Sequence, residues 1–212
     1  MRVLVLGASG GVGRHLVRLA AAAGHDVTAL QRVEAPVPPG VRLRVDDVGR
    51  DGVLDAAVAG HDAVLSALGL KRTSPANPYS GLASPPDFAS ATARALVAAM
   101  SRHGLTRVIA VSAAGVGDSA AGRNLALRLL LATSTMGAMY ADLERMEAVY
   151  AASGLDACCV RPTTLTNGPA TGRIKEITDF PLTATIARAD VAAWMVAHLT
   201  GALPRHPTIT GG

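Results

Sequence analysis

The residues best suited to chemistry stand at the front of the chain. Gly7-Ala8-Ser9-Gly10-Gly11-Val12-Gly13 leaves the apolar run Val3-Leu4-Val5-Leu6 and enters His15-Leu16-Val17-Arg18-Leu19-Ala20. Glycines there let the backbone turn sharply and approach a pyrophosphate, whose charge is attracted by the unpaired N–H groups and positive dipole end of the following helix. The spacing departs from the common Gly-x-Gly-x-x-Gly fingerprint, because the glycines fall at Gly7, Gly10 and Gly13 with Gly11 as an extra. A glycine turn between any buried strand and helix shares part of this pattern. The order strand, turn, helix points to a dinucleotide site in which Gly7, Ser9, Gly10, Gly11, Val12 and Gly13 hold the pyrophosphate.

The second apolar run, Val27-Thr28-Ala29-Leu30, ends at Gln31-Arg32 with no carboxylate. An Asp or Glu at that place bonds the ribose hydroxyls of NAD and repels a 2′-phosphate, whereas an arginine accepts the phosphate. Arg32, helped by Arg14 just beyond the glycines, therefore favours NADP (NADPH) over NAD. Two further segments fall where loops would flank adenine and ribose: Asp46-Asp47-Val48 and Ala67-Leu68-Gly69. The aspartates equally suit a cap for a helix beginning near Asp51, and Ala67-Leu68-Gly69 suits a simple turn.

These residues need a frame. Strand-like runs at 2–6, 26–30, 41–45, 62–66, 107–112 and 155–160 alternate with helical runs near 12–23, 51–58, 87–103, 123–132, 137–152 and 188–199. The alternation predicts an α/β fold, a Rossmann-type doubly wound parallel sheet, as a single domain over 1–212 with a small C-terminal substrate lobe. A Pro/Ser-rich connection over 69–86 follows the fourth strand, and 161–186 holds no long element beyond a short strand expected within Glu176–Phe180. The two together make a candidate substrate lid.

Composition narrows the classes. Of the 212 residues half are hydrophobic but only 3% aromatic, so Val, Leu and Ala must build the core. No apolar run reaches the ~18–20 residues that span a bilayer, and no signal-peptide pattern opens the chain, which makes a cytoplasmic protein without membrane partners the expectation. The +4 charge is spread over scattered arginines, with no basic run interleaved with aromatics, so nucleic acid is not an expected partner. Cys158 and Cys159 are adjacent in a predicted strand and face opposite ways, which opposes a mutual disulfide. His15, His25, His61, His103, His198 and His206 lack metal-ligand spacing.

In order along nearly the whole chain, the glycine turn, Asp46-Asp47-Val48, Val108-Ile109-Ala110-Val111-Ser112, Ser153-Gly154-Leu155-Asp156, Arg161-Pro162-Thr163 and Arg188-Ala189-Asp190-Val191-Ala192 resemble an atypical short-chain dehydrogenase/reductase. The resemblance is to the small NAD(P)H-binding branch that includes NmrA-like proteins and biliverdin-IXβ and flavin reductases. It implies a nicotinamide cofactor, with the nicotinamide held near Ser112 and the turn Pro162, Thr163, Thr164 and Leu165. The Tyr-x-x-x-Lys pair typical of the superfamily is broken: Tyr140 is followed four residues later by Glu144, and Tyr79 and Tyr150 by Ala83 and Gly154. Ordinary alcohol dehydrogenation is thereby disfavoured, while a conjugated or flavin-like acceptor takes hydride without a dedicated acid.

Within that reading Ser112 and Tyr140 are the candidate catalytic residues. Ser112 would contact the cofactor or acceptor, or merely close its strand; Tyr140 would line the substrate pocket, or pack as a helical tyrosine. Surface pairing with Arg145 suffices for Asp142 and Glu147, and Asp190 is expected to cap or anchor the last long helix. Met136, Met139, Phe180 and Trp194 suit core packing or an apolar substrate wall. The expected activity is an NADPH-dependent reduction of a small conjugated or flavin-like molecule. A cofactor-retaining epimerase or isomerase and a non-catalytic NmrA-like dinucleotide sensor stand as alternatives, and the oligomeric state is not legible.

Overall fold

Leu4 and Leu6 face one side of a sheet and Val3 and Val5 the other, and all four are fully buried. A strand buried on both faces must be covered by helices on both, and the computed structural model, which describes residues 1–74, 76–181 and 183–212, has that form. Parallel strands β1 (Arg2–Leu6), β2 (Asp26–Gln31), β3 (Arg42–Val45), β4 (Ala63–Ser66), β5 (Arg107–Val111) and β6 (Asp156–Pro162) alternate with helices α1 (Gly13–Ala22), α2 (Val53–Val58), α3 (Phe88–Arg102), α4 (Leu125–Thr133) and α5 (Met136–Ala152). The C-terminal part adds β7 (Thr164–Thr166), β8 (Ile174–Glu176), β9 (Thr185–Ala187), α6 (Arg188–Ala197) and β10 (Thr208–Gly211).

The main sheet runs β3-β2-β1-β4-β5-β6-β10-β8, parallel except where β8 pairs antiparallel with β10; β7 and β9 form a separate two-stranded parallel ladder. The strand order reverses between β1 and β4, so the loops leaving their carboxyl ends open a crevice there. Helices α1 and α6 cover one face with Leu16, Val17, Val191 and Met195; α2, α3 and α5 cover the other with Leu54, Leu96, Met100 and Met146. Cys158 and Cys159 go to opposite faces as free thiols, and burial pushes Cys158 up to about 12 and Cys159 well above its ordinary value.

The expected α/β architecture is the one observed, with three corrections at its C-terminal and surface ends. The short strand sits at Ile174–Glu176, because it is set by antiparallel pairing with β10, a short strand remote from it in sequence. Phe180 instead packs with Ala114 and Leu127 in a third, small apolar cluster. Asp142 and Glu147 are not surface residues. Asp142 is fully buried and accepts from the N–H groups of Ala89 (2.7 Å) and Ser90 (3.2 Å), capping the first turn of α3 with the charge its dipole favours, while its link to Arg145 is secondary. Trp194 belongs to the core and stacks on His198, and Met139 packs against the core from its edge. Pro75, in the 69–86 connection, and Leu182, in the 161–186 stretch, lie outside the described residues. Among the described residues, no helix is long and apolar enough to cross a membrane.

Candidate functional site

The glycine turn is shaped by contacts that exclude side chains. Gly7 has φ +72° and its missing Cβ would lie 2.9 Å from the Ala67 carbonyl oxygen, while a Cβ on Gly13 would collide with the Gly7 carbonyl. The Gly10 N–H donates to Gly7 O at 2.9 Å and closes the turn. Helix α1 then begins with Val12 at its N-cap and no side chain capping it. The Arg14 N–H is already bonded to Gly10 O (3.1 Å) and the His15 N–H to Val12 O (2.9 Å), so among the described residues the amides of this turn left for an incoming anion are those of Gly11, Val12 and Gly13. A pyrophosphate fits this cradle.

Around it a cavity opens at the reversal of strand order. Gly7, Ser9 and Gly10 form its floor; Leu30, Gln31, Arg32 and Val33 its β2 side; Val48 the side beyond β3; and Ala67, Leu68 and Gly69 the side beyond β4. Arg32 is exposed at the rim. Arg14 and Ser9 line an adjoining hollow closed by Gln31 and residues 35–38, with the Gln31 amide donating to Ala35 O at 2.9 Å. Arg32 and Arg14 thus stand on either side of Ser9 and Gln31. Asp47 does not line the cavity: its Oδ1 accepts from the Gly49 N–H at 2.9 Å and shapes the turn that presents Val48. The alternative role of the aspartates as a helix cap is not realised, since α2 starts from Gly52 at φ +78° without a side-chain cap. Lys71, Ser84 and Phe88 also line the cavity, all from or just after the long connection flagged in the sequence; its composition gave the region but not the residues.

On the other side of the crevice Ser112 follows β5, buried. Its hydroxyl donates to Glu147 Oε1 at 2.5 Å. Glu147, on α5, also receives Arg161 Nε at 3.0 Å on Oε1 and Arg161 Nη2 at 2.6 Å on Oε2, and Arg161 extends to Asp118 at the surface. Burial pulls the Arg161 guanidinium down, but Glu147 and Asp118 more than offset it and leave it raised; the same bond from Arg161 holds Asp118 below its ordinary value. With its proton directed at Glu147, Ser112 offers a neighbour its lone pairs, which accept from an amide N–H.

Pro162 ends β6 and is buried. Thr163 turns inward to Thr210 (3.2 Å), Thr164 is exposed at the head of β7, and Leu165 packs against the core. Tyr140 lies under Arg123, whose guanidinium carbon is 5.8 Å from the ring centroid. Burial raises the Tyr140 phenol above its ordinary value, opposed by the charge of Arg123, so it stays protonated at neutral pH. Asp190, fully buried, anchors a loop onto α6 by accepting from the N–H groups of Thr171 and Gly172, each at 3.0 Å. Arg188, at the start of α6, packs its side chain over Gly11, a contact no local pattern announces.

A doubly wound sheet with an uncapped glycine turn at its switch point defines a nucleotide-binding α/β protein. The family model for NAD(P)H-binding proteins matches residues 7–201, and the chain belongs to that family. A 3-diazoavenalumate denitrifying reductase from a Streptomyces species is 32% identical over 83% of this chain; the chain spans only 60% of that relative's length. Among solved structures, a putative NAD-dependent epimerase/dehydratase from Bacillus halodurans superposes with a TM-score of 0.79 at 25% identity, covering 100% of this chain and 94% of the other. An anaerobillin reductase from Escherichia coli O157:H7 shares the fold with a TM-score of 0.78 at 24% identity, over 99% and 96% of the two chains. Membership of that family makes the cofactor a nicotinamide dinucleotide.

Proposed function

We propose that this protein is an NADPH-dependent reductase of a small conjugated or flavin-like molecule. The observation that carries the reading is the rim of the cavity: β2 ends in Gln31-Arg32 with no carboxylate, and Arg32 stands beside the glycine turn where a ribose 2′-phosphate would lie. NADPH supplies a hydride at nicotinamide C4. The glycine turn holds the pyrophosphate through the amides of Gly11, Val12 and Gly13, Arg32 with Arg14 the 2′-phosphate, and Val48 with Ala67-Leu68-Gly69 the adenosine side. Ser112, through its lone pairs, and the turn Pro162-Thr163-Thr164-Leu165 hold the nicotinamide. No Tyr-x-x-x-Lys pair is present, and the α5 residue that meets Ser112 is Glu147, a carboxylate, while Met139 and Leu143 pack against the core. Donor and acceptor are therefore positioned rather than linked by a built-in acid, and the proton comes from solvent. The name of the Streptomyces relative, a reductase, supports the reaction class.

The test is NADPH oxidation with FMN and a panel of conjugated acceptors, alongside NADP+ binding by calorimetry. Net NADPH consumption with at least one acceptor is expected. Interconversion of a substrate without net consumption would establish the epimerase reading instead. Tight NADP+ binding with no turnover on any acceptor would establish the sensor.

A further inference from the structure

Gly11 is the glycine that the fingerprint does not require, and it has no positive φ to explain it. Its reason lies on α6: a Cβ built on Gly11 would sit 2.7 Å from both Cδ and Nε of Arg188. The Arg188 stem therefore rests directly on the pyrophosphate turn. One end of the guanidinium is tethered away from it, with Nη1 donating to Asn167 Oδ1 at 2.7 Å and to Leu165 O at 3.4 Å. Its charge reaches the first turn of α1 as well, adding to burial and to Arg14 and Arg18 in lowering His15. Nε and Nη2 carry no bond to protein among the described residues, and an arginine fork has donors for two partners at once.

Resting on the dinucleotide reading above, we propose that Arg188 is a cofactor-positioning residue that binds the pyrophosphate on its nicotinamide-side phosphate while holding the Leu165–Asn167 segment. The side is set by the tether. Arg32, Val48 and Lys71 mark the adenosine half of the cavity, whereas Leu165 and Asn167 follow β6 on the opposite side of the glycine turn. Arg188 lies between that turn and the Leu165–Asn167 segment. Binding of the diphosphate thus fixes the orientation of Arg188, and Arg188 fixes the loop whose far end Asp190 already anchors at Thr171 and Gly172. Cofactor binding and ordering of the substrate-side loop become one event. Gly11 is small so that this arginine can reach.

Two probes separate this role from a structural one. NADP+ carries both phosphates of the diphosphate, and adenosine 2′,5′-bisphosphate carries only the adenosine-side one. In calorimetry, Arg188→Gln is expected to weaken NADP+ about tenfold or more, the worth of one charge-assisted contact, and to leave adenosine 2′,5′-bisphosphate within about twofold. Hydrogen exchange at residues 165–172 should slow on NADP+ binding in the wild type and not in the variant. Gly11→Ala, which keeps the arginine but displaces it, should reproduce the loss, and should add little in the Arg188→Gln background. Equal weakening of both probes by Arg188→Gln, or of neither, overturns the assignment. So does a Gly11→Ala loss that persists in full without Arg188. A wild type that binds neither probe overturns the dinucleotide site itself.

Discussion

Replacing Glu147 by alanine tests whether the ionic cluster behind Ser112 holds the crevice together. The side chains of Glu147 and Arg161 are 6% and 5% exposed, so each charge depends on the other. Glu147 receives two bonds from Arg161 and one from Ser112; its removal leaves Arg161 with Asp118, whose side chain is 87% exposed and solvated. Breaking a buried pair by removing one partner costs about 3–5 kcal/mol, and the surviving Asp118 contact places this case at the lower end, about 3 kcal/mol. For a chain of this length each kcal/mol shifts the midpoint by about 2–4 °C, so thermal unfolding should occur about 6–12 °C lower. The double variant Glu147→Leu/Arg161→Met removes both charges and fills the space with apolar groups. It should lose less than Glu147→Ala alone. Calorimetric or circular-dichroism melts of the three proteins check this. A Glu147→Ala midpoint within about 2 °C of wild type, or a double variant less stable than the single one, would refute the account of a mutually dependent buried pair.

Arg32→Ala should weaken NADPH binding by about tenfold or more while leaving NADH within about twofold, because a charge-assisted phosphate contact is worth about 1.5–3 kcal/mol; equal loss for both in calorimetry would remove the phosphate assignment. Tyr140→Phe should retain most hydride transfer, whereas Ser112→Ala should slow it by about tenfold, about 1.4 kcal/mol; single-turnover NADPH oxidation reads both, and loss of transfer in Tyr140→Phe with ligands still bound would make the phenol an acid. Burial holds His61 and His206 below the ordinary histidine value of 6.5, His206 while its Nδ1 accepts from the Cys159 N–H at 3.0 Å. The unfolded chain then binds more protons, so stability is full above pH about 6.5 and falls as pH drops from there toward the lowered folded values; a His61→Asn/His206→Asn variant should show a shallower decline in melts across that range.

The sequence by itself determined the elements and the front of the site. Long Val/Leu/Ala runs at the periods of strand and helix, punctuated by glycine, place β1 to β6 and α1 to α6 within a few residues, since each signal is local. Gly7, Gly10 and Gly13 and the bare end of β2 at Arg32 are legible for the same reason: a turn and the helix after it are made by neighbours in sequence. Tertiary structure decided the rest. Strands β8 and β10 are short segments whose pairing partner is remote, so neither is stable or recognisable until the sheet edge at β6 exists. Asp142 and Glu147 read as solvated charges on a helix because nothing local shows that the amides of α3, or Ser112 and Arg161, are waiting for them. Arg188 and Gly11, at opposite ends of the chain, meet because α1 and α6 cover the same face of the sheet. Charge satisfaction and close approach at long range are properties of the packed molecule, and no periodicity in the chain encodes them.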